Sequence, residues 1–465
     1  MLPDEPLGWM NWLARRHDAE LPELRELDAL YEGTAPLVYM HPEIVKELGD
    51  RLPPVSLGWP QLAIEPLEER LDFLGFRDRT GSLDDNLRKV YQYNDLDEES
   101  QLGHLDALAM RRSYLAVGAN DDDRDIPLVT VESPLELFTY IDPRGRKPRA
   151  ALRRWSEDQD SLVRLPEQFA TLYLPDETIW YDQGPNGWRE TGRDRHKLGE
   201  VPIAPLVNRS RTANRYGRSE LTVPMLTLSH AANKLATDMM IGAEFHAIPL
   251  RALLGVDSAD FVDEQGNRKS ALQVIMGKLL AIPVEDANSV KPFEFTASAL
   301  TNFHDSMTQL AKHATALAGL PPTAFGVVTD TPASAEAWRA AEARLVKRAE
   351  RRQQAFSGGH ERAARLVHRI QEGDWDPRAR ELESQWRDPA TPTRAQAADA
   401  AVKLYSEGIT TRRQTRIDLG YTPGQIAQME IDDEDEDELR AATKQVAQPV
   451  VDPAGGEDDD LDEVD

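Results

Sequence analysis

The stretch GLPPTAFGVVTDTPASAEAWRAAEARLVKRAERRQQAF at residues 319–356 organises the second half of the chain. Its first part is rich in proline, glycine and threonine, which predicts a loop over residues 319–337. Its second part opens the longest helix-like segment of the chain, which is predicted from residue 333 to about residue 370. The longest helix of the chain is therefore expected directly after a loop of small and rigid residues.

This long helix is predicted to bury one stripe and to be interrupted near its middle. The buried stripe is marked by four residues at helical spacing, Trp338, Leu345, Ala349 and Phe356. Gly358 and Gly359 follow that stripe. Because glycine is a poor helix former, the pair is expected to kink or interrupt the helix.

Two segments before the loop, residues 219–247 and 298–320, carry apolar residues at alternating spacings of three and four. Such seams are typical of helices that pack along their length. They fit contacts between neighbouring subunits and an intrachain helical hairpin equally well. Between them, residues 249–297 hold two strand-like runs, LRALLGV and LLAIPV, around a polar turn, which indicates a small α/β insert. The seam residues are Leu221, Met225, Leu228, Ala232, Leu235, Met239, Leu300, Phe303, Met307, Leu310, Ala314 and Leu317.

The N-terminal half is predicted to combine helices with a β-rich region. Leu24, Leu27 and Leu30 recur three apart, which indicates a buried helical face. From residue 113 to 206, short β-branched and aromatic runs such as SYLAV, IPLVTV, ELFTYI and FATLYL alternate with turns. The predicted fold class is therefore α+β, predominantly helical.

The chain of 465 residues is strongly acidic, with 81 acidic against 54 basic residues and a net charge of -27. About half of the excess lies in residues 431–465, which are predicted to be a disordered tail because they have little to bury. Such acidity disfavours wrapping nucleic acid or docking on anionic lipid through bulk charge. Residues 333–370 are a local exception, with nine basic and four acidic residues.

Several kinds of chemistry are excluded or unsupported. The absence of cysteine removes disulfides, thiol catalysis and cysteine-ligated metals. No apolar run approaches the roughly 18 residues of a membrane span, and residues 1–16 lack the pattern of a signal peptide, so no membrane association is expected. No nucleotide-binding, hydrolase or metalloprotease motif occurs, and no cofactor is expected.

Two acidic clusters support an alternative function, a metal-dependent nuclease. Their spacing does not match a calcium loop, and a helix cap and a solvated turn explain them better. His360 and His368 are predicted to be surface positions of the long helix rather than metal ligands. The clusters comprise Asp95, Asp97, Glu98 and Glu99, and Asp121, Asp122, Asp123 and Asp125.

Six ordered pieces of the sequence point to one family. From about residue 27 to 430 the chain resembles the portal proteins of tailed bacteriophages of the long-tailed type. The pieces are LYEG (30–33), LGWPQLAIEPLEERLDFLGFR (57–77), NDLDEESQLGHLDALAMRRSYLAVG (94–118), YGRSEL (216–221), AEFHAIPLRALLG (243–255) and the opening stretch at 319–356.

The resemblance implies a portal fold with an α/β wing, a two-helix stem, a small α/β clip, a long helix and a helical crown. In this sequence the implied segments are the wing at 1–216, stem helices at 217–248 and 298–320, the clip at 249–297, a tunnel loop at 321–336, the long wing helix at 333–372, the crown at 373–430 and the acidic tail at 431–465.

The resemblance also implies a structural protein and not an enzyme. Portal proteins form a dodecameric ring at one capsid vertex of the virion, assembled in the host cytoplasm, through which double-stranded DNA is packaged and ejected. The implied partners are the terminase, the head–tail adaptor, and the major capsid and scaffolding proteins. Because each neutralised phosphate adds affinity, acidic walls suit a channel that lets DNA slide, and we expect weak affinity for free DNA.

Two sets of residues are candidate contact surfaces under this resemblance. The candidate channel-lining residues are Lys234 and Lys312, which lie off the apolar seams, and Val327, Thr329, Asp330 and Thr331 of the tunnel loop. The candidate docking surface for the terminase or the adaptor is the polar tip of the clip, with Asp260, Asp263, Glu264, Arg268 and Lys269.

Overall fold

The computed structural model describes residues 2–36, 55–78, 84–157, 167–185, 187–246, 251–254, 279–282, 301–327, 335–390 and 394–446. The chain divides into two compact units, Met1–Pro389 and Ala390–Asp465, and each is described by itself. About 52% of the chain is helical and 19% is strand, so the predicted α+β class with a helical majority is confirmed.

The first unit contains long helices and short strands, numbered here in chain order. The helices are α1 (Pro6–Tyr31), α2 (Trp59–Glu68), α3 (Asp85–Tyr93), α4 (Leu96–Met110), α5 (Val223–His246), α6 (Thr301–Ala318) and α7 (Ala335–Glu372). The strands are β1 (Phe73–Arg77), β2 (Arg112–Gly118), β3 (Leu128–Glu132), β4 (Leu137–Ile141), β5 (Pro148–Glu157), β6 (Glu167–Tyr173), β7 (Thr178–Gly184), β8 (Gly187–Asp194), β9 (Ile203–Val207), β10 (Arg251–Leu254), β11 (Leu279–Ile282) and β12 (Glu383–Trp386).

The β-rich region forms two antiparallel sheets. One has the order β3-β2-β9, and the other is a five-stranded meander from β4 to β8 in which each strand pairs with the next. The strand-forming runs predicted between residues 113 and 206 are confirmed. The sequence pattern missed β8, GWRETGRD, because this edge strand is largely exposed and has no apolar alternation.

The pairing of β10 with β11 is parallel, with Arg251 opposite Leu279. Both strands were predicted from their apolar runs, and both predictions are confirmed. Residues 255–278, which include the predicted polar turn between these strands, lie outside the described residues.

Helix α7 lies in the largest apolar core of the first unit. Leu345, Ala349 and Phe356 are all buried, which confirms three positions of the predicted stripe. The fourth, Trp338, has a side chain outside the described residues. Leu24 and Leu27 of α1 belong to the same core, so their predicted burial is confirmed.

The expected kink at Gly358 and Gly359 is wrong, because α7 runs unbroken from Ala335 to Glu372. The glycine at 359 instead allows a close approach between α7 and β9. A Cβ atom added to Gly359 would lie 2.6 Å from Leu206 Cδ2 and 2.8 Å from the carbonyl oxygen of Pro205. A Cβ atom at Gly358 would meet nothing within 4 Å. The glycine at 359 therefore permits helix–sheet packing.

These two neighbouring glycines make a matched test of this explanation. Gly359→Ala is expected to destabilise the fold by about 1–3 kcal/mol, because the new methyl group overlaps backbone that has little room to move. Gly358→Ala is expected to leave stability unchanged or raise it by up to about 1 kcal/mol through helix propensity. The measurement is urea unfolding of both variants and the parent. Equal effects at the two positions would show that helix propensity alone governs them.

The predicted surface positions of His360 and His368 are wrong. His360 is fully buried, with Nδ1 2.6 Å from Tyr91 Oη and Nε2 3.0 Å from His104 Nε2. Its ring stacks on Phe73 with centroids 4.4 Å apart. His368 is largely buried, and its Nε2 lies 3.5 Å from an oxygen of Asp84. Tertiary contacts from α3 and α4 cover this part of α7, and no local pattern reveals them.

The buried histidine pair predicts loss of stability in acid. Burial lowers the pKa of His104 to about 3, and burial together with His104 lowers the pKa of His360 well below its ordinary value. The unfolded chain, in which histidine titrates near pH 6.5, therefore binds more protons below that pH. The stability that the two neutral histidines contribute is fully present above about pH 6.5, and it is expected to fall as the pH decreases from there, by about 1.4 kcal/mol per pH unit for each of them.

A comparison of two variants measures this dependence. His104→Gln is expected to reduce the slope of unfolding free energy against pH, between about pH 6 and pH 4, by about 1.4 kcal/mol per pH unit. His313→Gln, at an exposed position of α6, is expected to leave the slope unchanged. Unfolding in urea at several pH values gives both slopes. Parallel slopes for the parent and His104→Gln would contradict burial of a neutral His104.

The first unit extends beyond the long helix, which corrects the predicted start of the crown at residue 373. Strand β12 pairs antiparallel with β1, and Phe73 lies opposite Trp386. Trp386 donates a hydrogen bond from its ring nitrogen to Ser357 Oγ at 2.8 Å. Residues 373–389 therefore belong to the first unit, and the helical second unit begins at Ala390.

The second unit contains α8 (Arg394–Ser406), α9 (Arg412–Asp418) and α10 (Pro423–Val446). A reciprocal cap starts α10, because Gln425 N donates to Thr422 Oγ1 and Thr422 N donates to Gln425 Oε1. The prediction of disorder from residue 431 is wrong as far as Val446, since α10 continues through the acidic run. Arg412 and Arg416 hold Asp433 at 3.0 and 2.8 Å and offset part of the repulsion. Residues 447–465 lie outside the described residues.

Candidate functional site: the stem helices and the Glu220 hub

Helices α5 and α6, the two segments with predicted apolar seams, pack against each other within one chain. The intrachain alternative for the seams is therefore confirmed for this pair. Met225 and Ala232 of α5 and Ala314 of α6 are buried in the main core. The seam is incomplete, because the predicted seam residue Leu317 is 45% exposed. Part of the apolar surface of these two helices is therefore not covered by their packing against each other.

The two candidate channel-lining lysines differ in their surroundings. Lys234 lies on α5 and forms an ion pair with Asp238 one turn later. Lys312 lies on α6 with its side chain exposed. Within one chain, Lys234 is thus partly neutralised, while Lys312 presents its charge to solvent.

The loop after α6 packs closely on the first unit. Gly319 has φ +67°, a left-handed conformation that lets the chain turn against the side chain of Arg344. A short 3₁₀ helix follows at Pro322–Phe325, and the Phe325 ring meets Trp59 edge-to-face with centroids 5.5 Å apart.

Burial corrects one of the loop's candidate channel residues. Val327 is only 7% exposed and belongs to the main apolar core, so its prediction as channel-lining is wrong for the chain as described. Its apolar side chain gains more from packing in the core than from facing water. Thr329, Asp330 and Thr331 lie outside the described residues.

The clip residues predicted as a docking surface also lie outside the described residues. These are Asp260, Asp263, Glu264, Arg268 and Lys269. Of the clip, the structure describes the paired strands β10 and β11.

Glu220 is a buried carboxylate that joins the start of the stem to the long helix. Its side chain is 3% exposed. It accepts hydrogen bonds from Arg348 Nη2 at 2.8 Å and Arg352 Nε at 2.8 Å, both on α7, and from Asn208 Nδ2 at 3.2 Å. Arg209 Nη1 lies 3.7 Å away. We call Glu220 with these three arginines the Glu220 hub.

The electrostatics of the hub favour a charged Glu220. Burial alone would raise the pKa of this carboxyl, but the positive charges of Arg352, Arg348 and Arg209 hold it below its ordinary value. The backbone adds to the link, since Glu220 N donates to the carbonyl oxygen of Leu108 at 2.9 Å. Helix α4, the start of α5 and helix α7 therefore converge on one residue.

Sequence reasoning missed the hub. A lone glutamate in YGRSEL gives no local sign of burial. The available signal was the excess of basic residues on α7, which requires a carboxylate partner wherever these residues are buried.

The acidic clusters occupy ordinary structural positions. Asp95 stands at the N-cap of α4 as expected, although its side chain forms no capping hydrogen bond. The cluster at 121–125 is a turn between β2 and β3, where Asp123 Oδ1 accepts from Asp125 N at 3.0 Å. Within the described ranges, no group of three or more histidine, aspartate or glutamate side chains is arranged to hold a metal ion. In the same ranges no helix is long and apolar enough to cross a membrane.

The family model and the curated relatives both indicate one class, the phage portal proteins. A family model described as "Phage portal protein, SPP1 Gp6-like" matches residues 11–438. The portal proteins of Mycobacterium phage D29 and Mycobacterium phage L5 are each 36% identical to this chain over 390 residues, which is 82% of this chain and 79% of each relative. A chain from the structure "Neck of empty GTA particle computed with C6 symmetry" matches at 14% identity and a TM-score of 0.38, covering 86% of this chain and 99% of that one.

This chain therefore belongs to the SPP1 Gp6-like family of phage portal proteins. The resemblance inferred from the ordered sequence pieces is confirmed at the level of the family.

The hub makes a stability prediction. Glu220→Gln is expected to destabilise the first unit by about 3–5 kcal/mol, because removing one partner leaves buried guanidinium charges without an anion. Glu350→Gln is the control, since Glu350 pairs with Lys347 on the surface of the same helix, and its loss is expected to cost less than about 0.5 kcal/mol. Urea unfolding followed by tryptophan fluorescence gives both values. Similar losses for the two variants would contradict a buried hub.

Proposed function

We propose that the chain is a structural portal subunit, twelve copies of which form a ring at one capsid vertex of the virion. Double-stranded DNA would enter the capsid through this ring during packaging and leave through it during ejection. The observation that carries the proposal is the family match, which extends over residues 11–438. The order of a β-rich region, two packed helices, a loop and one long helix supports it.

Exposed apolar side chains of the second unit support assembly into a multimer. Val402 is 65% exposed, Ile409 is 69% exposed and Ile431 is 55% exposed. Several large apolar side chains exposed on a small helical unit suit a surface that contacts another protein. We propose neighbouring copies as that partner, through the crown that α8, α9 and α10 would form.

The charge of the chain suits a channel that does not grip DNA. The net charge is -27, and a duplex that meets mainly carboxylates makes few phosphate contacts. In this proposal Lys312 provides a weak positive contact among acidic walls. The affinity for free DNA is then low although the protein handles DNA.

We propose no catalytic role for this chain. Terminase would supply the nucleotide-driven motor. Terminase or the head–tail adaptor would dock on the clip, where the candidate contacts are Asp260, Asp263, Glu264, Arg268 and Lys269. The major capsid and scaffolding proteins would surround the ring during assembly in the host cytoplasm. A metal-dependent nuclease remains the alternative, and Asp95 would then be one of its ligands.

Mass measurement of the intact assembly tests the proposal. Native mass spectrometry and negative-stain imaging of the purified full chain are expected to reveal closed rings of about twelve subunits, since repeated head-to-tail contacts close into a ring when the rotation permits. A monomer at every protein and salt concentration would contradict the ring.

A cleavage assay addresses the alternative function. Incubation of the full chain with duplex DNA and magnesium or manganese is expected to leave the DNA intact. Cleavage that is abolished by Asp95→Ala would favour the nuclease instead.

A further inference from the structure

A basic groove lies beside the Glu220 hub, between the start of α5, the end of α6 and the middle of α7. It has a volume of about 500 Å³ and opens to solvent. Apolar side chains such as Met225 and Leu317 form part of its wall. The basic residues that line it, which define the arginine groove, are Arg209, Arg344, Lys347, Arg348, Arg351 and Arg352.

The arrangement follows from helix geometry. Arg344, Lys347, Arg348 and Arg351 lie at spacings of three and four on α7, so they share one face of that helix. The adjacent stripe of the same helix, with Leu345 among its members, is buried in the core. Packing of that stripe fixes the direction in which the basic face points.

Positive charge in the groove exceeds the negative charge that meets it. Glu220 is the one carboxylate among its lining residues, and three arginines surround it. The side chains of Arg348 and Arg352 are 18% and 12% exposed, so solvent screens them poorly. Partly buried charges of one sign are costly when a single counter-charge serves several of them.

Few of the outer basic residues of the groove are neutralised by a carboxylate. Arg344 donates through Nη1 to the carbonyl oxygen of Ala316 at 2.9 Å, which is a neutral acceptor. Among the described residues, no carboxylate forms an ion pair with Arg344 or Arg351. Lys347 pairs with Glu350 at an exposed position.

The charges around Arg352 also affect its pKa. Burial lowers the pKa of this guanidinium, Glu220 raises it, and the nearby charges of Arg209 and Arg348 lower it again. The net direction is downward, with burial as the largest cause and the like charges of Arg209 and Arg348 adding to it. An anion bound in the groove would oppose the effect of these like charges.

We propose that the arginine groove binds a phosphate group. Guanidinium groups match the oxygens of phosphate in geometry, and phosphate carries enough charge to balance several of them at once. The groove of a single subunit holds one such group rather than a tract of backbone. This is compatible with a chain that is acidic elsewhere. The inference depends on the fold of one subunit and not on the proposed ring.

Titration with inorganic phosphate tests the proposal on the full chain. The line width of the ³¹P resonance is followed as protein is added, with chloride buffer of matched ionic strength as the reference. The double variant Lys347→Ala and Arg351→Ala removes two exposed charges from the groove and leaves the hub in place. The control variant, Arg144→Ala and Arg149→Ala, removes two exposed charges from the turn and strand after β4.

Saturable broadening is expected for the parent protein and for the control. The groove variant is expected to bind phosphate at least about tenfold more weakly, because two charge-assisted contacts are lost. Equal binding by all three proteins, or broadening that never saturates, would overturn the proposal. Native mass spectrometry of the same samples separates loss of the groove from loss of the ring, because the groove variant is expected to assemble like the parent.

A duplex oligonucleotide then identifies the source of the phosphate. If the short duplex displaces inorganic phosphate from the parent and not from the groove variant, the groove accepts the backbone of DNA. If inorganic phosphate binds and the duplex does not displace it, the site takes the free anion. Both results support a phosphate site, and only the first connects it with passage of DNA.

Discussion

One buried carboxylate, Glu220, links three parts of the first unit by hydrogen bonds: the end of α4, the start of α5 and the long helix α7. It follows the sheet strand β9, precedes helix α5 and is held by two arginines of α7. Its backbone nitrogen also reaches Leu108 at the end of α4. Because a buried charge must be paired, this residue adds a polar link to the apolar packing that positions the long helix relative to the start of the stem. The loop after α6 depends on the same contact, since Arg348 also donates to the carbonyl oxygen of Ala318.

The hub and the arginine groove are two consequences of one distribution of charge. Basic residues on α7 give Glu220 its partners, and those that remain line an open groove. The apolar stripe of the helix lies beside them, so packing and electrostatics act on the same rigid element. A long helix is well suited to this role, because its residues keep their spacing over many turns.

Local patterns predicted much of the fold. The leucines at 24 and 27, the strand-forming runs between residues 113 and 206, and the bounds of the helices near α5, α6 and α7 all follow from periodicity. Features that depend on distant residues were not predictable. Gly359 is explained only by β9, His360 only by Tyr91 and His104, and Val327 only by the core that covers it. The Glu220 hub was also only partly predictable. The basic excess on α7 is visible in the sequence, but Glu220, the carboxylate that binds Arg348, lies 128 residues earlier.

The pairing of β1 with β12 has a consequence for synthesis of the protein. Arg77 and Gln385, which bond across this pair, are 308 positions apart in the sequence. Folding of the first unit therefore cannot be completed on the ribosome until nearly all of that unit has been translated, although shorter parts such as the meander from β4 to β8 can form earlier. In the proposed ring, a subunit would therefore present its finished surface to its neighbours only after translation has passed β12.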